Sequence, residues 1–293
     1  MSLFGCNLTQ NNVLIVTDGA SYNKLAIEGV RKQFPSLKLE FVTCLAHMVN
    51  RVLCKLQEIS KNAMKLIKSL NAIMKNSIIK RRLFGKVVGC RFPKICFTRW
   101  GTFVSTCKFL QQRRSKILQF TSDVEKMKKS KTKMDVETTE PSKIQTFSNT
   151  MKDENCWKEI EIVADLDNFI SIITNLQRDR QKCSEQIGAV ERLAFYLETK
   201  NEQGTKERKK VINVLVKKLN DVITKNFGFK RLRIISSNNL LPAFLAYAPL
   251  TTVEVERSFS ILHWMIDERR SSLNDDTLDA MLMIHHDNMV RFS

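Results

Sequence analysis

The strongest hydrophobic signal in the chain is the unbroken run Val13-Leu14-Ile15-Val16, halted by Thr17-Asp18-Gly19. A short apolar run stopped by a turn signal predicts a central strand covered on both faces. Asp18 then lies at the strand's carboxyl end, where open α/β sheets carry ligands and reacting groups. A helix follows: Ser21 fits the N-cap, and Leu25, Ala26, Gly29 and Val30 recur at helical spacing. Asp18 has two readings here, a cap for that helix or a ligand-binding carboxylate. Phe34-Pro35-Ser36 marks a turn. The alternation over 37–43 predicts a second strand, parallel to the first through a βαβ crossover. Cys44-Leu45-Ala46-His47 then opens a helix whose apolar face continues through Val49, Val52, Leu53, Leu56 and Ile59.

From about residue 60 to 241 the apolar period becomes that of helices. Met64, Ile67, Leu70, Ile73 and Met74 form a stripe at 3–4 spacing, read as core packing. Further helices are predicted over 163–176, 190–197 and 211–227. The stretch 126–148 is rich in Lys, Ser and Thr and predicts a mobile linker or exposed loop. Gln203-Gly204-Thr205 predicts a turn between helices. Leu241-Pro242-Ala243 and Ala248-Pro249-Leu250 are breakers, so 241–293 reads as a separate unit. It holds a helix over 252–265, a capped turn at 273–276 and a closing amphipathic helix over 277–289. The expected division is an α/β part over 1–59, a helical part over 60–240 and a C-terminal part over 241–293.

Composition sharpens this picture at three points. Nine glycines, five prolines and three tyrosines favour long helices over a turn-rich β fold. A net charge of +18 points to a polyanionic partner, nucleic acid being the commonest. The alternative is a solvated lysine surface, which is also the default for the basic runs 126–133 and 207–210. The eight cysteines form no C-x-x-C, which favours reduced thiols over a disulfide framework. No apolar run reaches membrane-spanning length, so no membrane partner is expected. Cys44 and His47 at i, i+3 supply two potential ligands, too few for a metal site, and read as hydrogen-bonding residues.

Three separated signals share one order. They are Thr17-Asp18 to Asn23 followed by Cys44-x-x-His47-x-x-Asn50, then Arg99-Trp100, then Glu256-Arg257-Ser258-Phe259-Ser260 with Glu268-Arg269-Arg270. Together they resemble the hAT superfamily of transposases, from about Val13 to Asn288 with a loose middle. The resemblance is greatest to truncated, finger-less copies, some named after CGG triplet repeat-binding proteins. It implies an incomplete RNase H-like α/β core interrupted by a large helical insertion, mostly α overall. It also implies that 241–293 completes the core and serves in dimerisation. In the family, three carboxylates hold two divalent metals that activate water and then a 3′-hydroxyl against a phosphodiester. Two hard cations about 4 Å apart need several carboxylate oxygens. Asp18 matches the second of those carboxylates and Glu256 the third, with His47 and Cys44 beside the site. Arg99 and Trp100 match the element that contacts or stacks on DNA. Arg257 could contact DNA or neutralise the Glu256 carboxylate, for a buried unpaired carboxylate is costly. Asp18 and Glu256 are therefore expected to approach each other.

The first carboxylate of the family pattern has no counterpart. Only seventeen residues precede Asp18, and none is Asp or Glu. Strands of five or six residues leave no room there for an opening hairpin. The expectation is a catalytically inactive, vestigial site, in a remnant or a fragmentary gene model. It would need no cofactor, or Mg or Mn if activity is retained. Three functions compete. The first is a nuclear, transposon-derived protein that binds DNA through a basic surface and self-associates through 241–293. The second is an active metal-dependent transposase or nuclease, with Asp165, Asp167 or Glu28 as a third carboxylate. The third is a helical interaction scaffold without a nucleic-acid role.

Overall fold

The computed structural model describes residues 12–75, 77–93, 101–131, 143–178, 181–237, 243–246 and 248–252. The chain divides into two compact units. One lies within Met1–His47, Leu176–Ile187 and Asn226–Ser293, the other within Met48–Asn175 and Gly188–Lys225. The described residues are mostly helical, with one two-stranded parallel sheet.

The first unit opens with the βαβ turn expected from the apolar pattern: β1 (Asn12–Thr17), α1 (Ser21–Gln33) and β2 (Lys38–Thr43). Val13 stands opposite Leu39, and Thr17 opposite Thr43. β1 is not covered on both faces, for Val13 to Thr17 are each partly exposed. Among the described residues the sheet is only two strands wide, so it offers little area for a helix to cover. α1 accordingly buries Ile27, whereas Leu25 is 70% exposed and Ala26 and Gly29 also face solvent. The expected apolar stripe is thus not the one that packs. The helix starts at Ser21 itself, so the N-cap position falls on Ala20, which makes no side-chain cap bond.

α12 (Phe227–Ser237) packs against β2. Asn226 starts it and is only 3% exposed. Its Oδ1 accepts the N–H groups of Thr43 (3.1 Å) and Phe229 (3.2 Å), and its Nδ2 donates to the Thr43 carbonyl (2.9 Å). One amide therefore continues the β2 edge and caps a helix. Gly228 permits the close approach: a Cβ there would stand 1.7 Å from the Phe41 carbonyl oxygen. Arg231 adds an ion pair to Glu40 at 3.1 Å. The helix predicted over 211–227 forms as α11 (Lys206–Thr224) but ends three residues short, because Asn226 begins a new helix.

The second unit is built of helices. α3 (Lys61–Lys75) buries Ala63, Leu66, Ile67, Leu70, Ile73 and Met74. Met64 leaves the predicted stripe and is only half-buried, since Leu66 fills the core position. Phe84 of α4 (Ile78–Val88) meets Phe120 of α6 (Arg114–Lys131) edge-to-face, with centroids 5.1 Å apart. α8 (Glu154–Ala164) packs on α3 and on α5 (Thr102–Gln112). Its Glu159 accepts the Asn62 and Ala63 N–H groups at 2.8 and 3.0 Å and the Asn62 Nδ2 at 2.9 Å. One side chain thus satisfies two of the donors that a helix start leaves free. The helix predicted over 163–176 is interrupted at Asp165-Leu166-Asp167, before α9 (Asn168–Leu176). Lys200 and Arg208 hold the Asp165 carboxylate at 3.2 and 3.0 Å, Tyr196 donates to its carbonyl, and Lys108 pairs with Asp167 at 2.6 Å.

The stretch 126–148 is not a plain linker. α6 runs on to Lys131 and α7 (Lys143–Lys152) begins within it, because Phe120, Val124, Phe147 and Met151 bury both flanks. The turn at Gln203-Gly204-Thr205 separates α10 (Cys183–Gln203) from α11, and the Thr205 hydroxyl caps α11 by accepting the Arg208 N–H. Thr102 is the first residue of α5. The cap position is Gly101 at φ +77°, a conformation that favours glycine.

Candidate functional site

The carboxyl ends of β1 and β2 form a shared ledge in the first unit. Thr17 leads into Asp18, and the Thr17 carbonyl accepts the Cys44 N–H at 2.7 Å. Asp18 is exposed, and its Oδ1 accepts from the Ala20 N–H (3.0 Å) and Asn23 Nδ2 (2.8 Å). These bonds are those of a carboxylate ordering the turn into α1, whose N-cap position is Ala20. Gly19 at φ +84° makes the turn possible. A Cβ there would lie 2.6 Å from the Thr43 Cγ2.

Cys44 is fully buried at the junction of β2 and α2 (Leu45–Ile59). Burial alone would push its thiol up. Hydrogen bonds from the side chains and backbone of His47 and Thr252 outweigh burial and hold it below the ordinary thiol range. The Thr252 N–H donates to Sγ at 3.3 Å, and the Thr252 hydroxyl meets His47 Nδ1 at 3.4 Å. The C-x-x-H spacing thus serves hydrogen bonding at a helix start, as expected. The same late segment is fixed at Leu250, which is fully buried. Its carbonyl accepts the Leu45 N–H at 2.9 Å, and its N–H donates to Gln186 Oε1 at 2.8 Å. Gln186 Nε2 donates in turn to the Ala248 and Gln181 carbonyls at 3.3 and 3.2 Å. A buried amide with its donors and acceptor engaged therefore clamps this strap to the start of α2.

Residues 245–288 match the hAT family C-terminal dimerisation region. The resemblance to hAT transposases, expected from about Val13 to Asn288, is thus matched over its C-terminal signal, and the match supports self-association. No curated protein matches the chain. The hAT-like segment begins with the strap just described. Leu245 and Leu250 are buried, and Thr252 stands four residues before Glu256 in the sequence. Glu256, Arg257, Arg99 and Trp100 lie outside the described residues, as do the helix predicted over 252–265 beyond Thr252 and the helix predicted over 277–289. Of the proposed site residues the structure describes Asp18 and His47, and it brings Cys44, His47 and Thr252 together.

Of the carboxylates that the hAT resemblance assigns to a metal pair, the described residues include Asp18 alone. Among them no group of three His, Cys, Asp or Glu side chains is arranged to hold an ion. Asp18 offers one carboxylate at the ledge, too few oxygens for two hard cations. Asp165 and Asp167 are engaged by Lys200, Arg208 and Lys108, and Glu28 is exposed on α1. No described helix is long and apolar enough to cross a membrane. The pattern reading missed Asn226, Gln186 and Thr252. An Asn directly before Phe227-Gly228 is a legible N-cap signal, but nothing local marks Gln186 or Thr252.

Proposed function

We propose that this chain is a transposon-derived, hAT transposase-like nuclear protein. It self-associates through its C-terminal segment, binds DNA through a basic surface and does not cut it. The observation that carries the reading is the match of residues 245–288 to a dimerisation region. Its first residues are anchored by Leu250 and Thr252 to the start of α2, which gives the segment a fixed base. The excess of 48 Lys and Arg over 30 Asp and Glu supports a polyanionic partner. The lone ledge carboxylate among the described residues, with its Oδ1 already accepting from two N–H donors, supports inactivity.

Three measurements on the full chain test this. Sedimentation velocity at micromolar concentration is expected to give at least twice the monomer mass. Fluorescence anisotropy with a random-sequence duplex is expected to show binding that weakens steeply between about 50 and 200 mM salt. Nicking of supercoiled plasmid in Mg²⁺ or Mn²⁺ is expected to be absent and equal to that of Asp18→Asn. A monomer, salt-independent binding, or nicking lost in Asp18→Asn would each remove one part of the proposal.

A further inference from the structure

The second unit carries a lysine seam that the core-directed reading of α3 passed over. Lys61, Lys65, Lys68 and Lys75 are all exposed and recur at i, i+4, i+7 and i+14, one helical face. α3 contains no acidic residue. The rise of 1.5 Å per residue spreads the seam over about 21 Å, with its first three lysines about 6 and about 4.5 Å apart along the axis. Its first half forms one wall of an open groove of about 950 Å³, whose lining also includes Lys55, Glu58 and Met64. This explains why Met64 is not in the core. The groove holds four lysines against one carboxylate, and Glu58 is already engaged by Lys55 at 2.7 Å. Lys218 of α11 also acts electrostatically on Glu58. Glu159 of α8, beside the start of α3, spends its oxygens on the Asn62 and Ala63 amides.

We infer that the α3 seam and its groove bind the phosphate backbone of duplex DNA, a reading that rests on the DNA-binding function proposed above. Lysines act on phosphates as point charges without demanding a base sequence. A protein partner is disfavoured because lysine is depleted at protein interfaces. A lipid surface is disfavoured because the apolar side chains that line the groove, Ile59 and Met64, are themselves half-buried and leave little to insert.

The test compares the full-length wild type with K61Q/K65Q/K68Q on a 30-bp random duplex, by anisotropy across a salt series. A charge-matched control, K206Q/K209Q/K210Q, removes three exposed lysines from α11. Far-ultraviolet circular dichroism confirms equal helicity. The α3 variant is expected to lower the slope of log K against log salt by about 2 to 3, and the α11 control by less than half as much. Unchanged slope and affinity in the α3 variant, or equal losses in both variants, would overturn the seam while leaving DNA binding in place. Absence of duplex binding by the wild type would overturn the functional proposal and the seam together. Duplex binding untouched in the α3 variant, with loss of binding to vesicles of phosphatidylcholine and phosphatidylserine, would reassign the seam to lipid.

Discussion

Asn226 offers the sharpest quantitative test of the first unit. Its buried amide makes three hydrogen bonds, two to the backbone of Thr43 and one to the Phe229 N–H. Asn226→Ala removes all three. Loss of the helix cap costs about 0.5–2 kcal/mol, and each bond to Thr43 contributes about 0.5–1.5 kcal/mol net. Together these predict about 2–4 kcal/mol, somewhat less if water reaches the Thr43 groups. Asn226→Asp keeps the acceptor for both N–H groups but aims a carboxylate oxygen at the Thr43 carbonyl. That variant's folded state favours the protonated carboxyl, which can donate, so its deficit is expected to shrink as pH falls from 7 toward 4.5. The assay is amide hydrogen exchange at Cys44, whose N–H is bonded to the Thr17 carbonyl rather than to Asn226. At about 1.4 kcal/mol per decade, Asn226→Ala should speed that exchange roughly 30-fold or more. Exchange at Ile160 in the second unit serves as an internal reference. A change under threefold at Cys44, or no pH dependence in Asn226→Asp, would refute the role assigned to this amide.

Two glycines should respond in opposite directions. Gly228→Ala places a Cβ against the Phe41 carbonyl and is expected to cost about 3 kcal/mol or more. Gly85→Ala, inside α4 with open space around it, is expected to gain about 0.5–1 kcal/mol, both read by urea unfolding. Glu159→Ala strips the donors at the start of α3 of their acceptor and should cost about 2–3 kcal/mol, whereas Glu159→Gln should cost less because it keeps one carbonyl acceptor. The buried cysteines carry opposed pH signatures. Cys44 is held below the ordinary thiol range, so its thiolate contributes stability above that range that is lost as pH falls through the lowered value. The advantage of wild type over Cys44→Ser should therefore grow from neutrality to about pH 9. Burial pushes Cys156 up to about 12 and Cys183 up to about 11, so their contribution is lost as pH rises above the ordinary thiol range. Peptide mapping after brief iodoacetamide treatment should find exposed Cys54 modified ahead of Cys44, Cys107, Cys156 and Cys183.

The local pattern was enough to place β1, α1 and β2, because a run of Val, Leu and Ile before Asp-Gly, an intervening helix and a second alternating run admit few arrangements. It was also enough for the long helical middle and for the C-x-x-H start of α2. The motif order pointed to the segment that matches a dimerisation region. It misjudged which faces are covered. Leu25 has the spacing of a core residue yet stays exposed, since among the described residues the sheet is two strands wide and offers little area to cover it. Met64 has the same spacing and lines a basic groove instead. Periodicity records which residues share a face, not what lies opposite.

What only the tertiary structure decided is a set of pairings between residues distant in sequence. Asn226 meets Thr43, Gln186 meets Leu250, Thr252 meets Cys44 and His47, and Glu159 meets Asn62. In the first two, a buried side-chain amide answers backbone groups, at the edge of the sheet and in the late strap; in the third, the Thr252 backbone N–H and hydroxyl meet the Cys44 thiol and the His47 ring. Glu159 likewise answers backbone groups at the start of α3. Which distant side chain fills that need depends on how helices pack, and packing is a property of volumes meeting in space rather than of any stretch of letters. The sequence alone determined the local elements and the strongly basic balance. The fold alone decided where the strap lands, and which lysines are aligned along one open face.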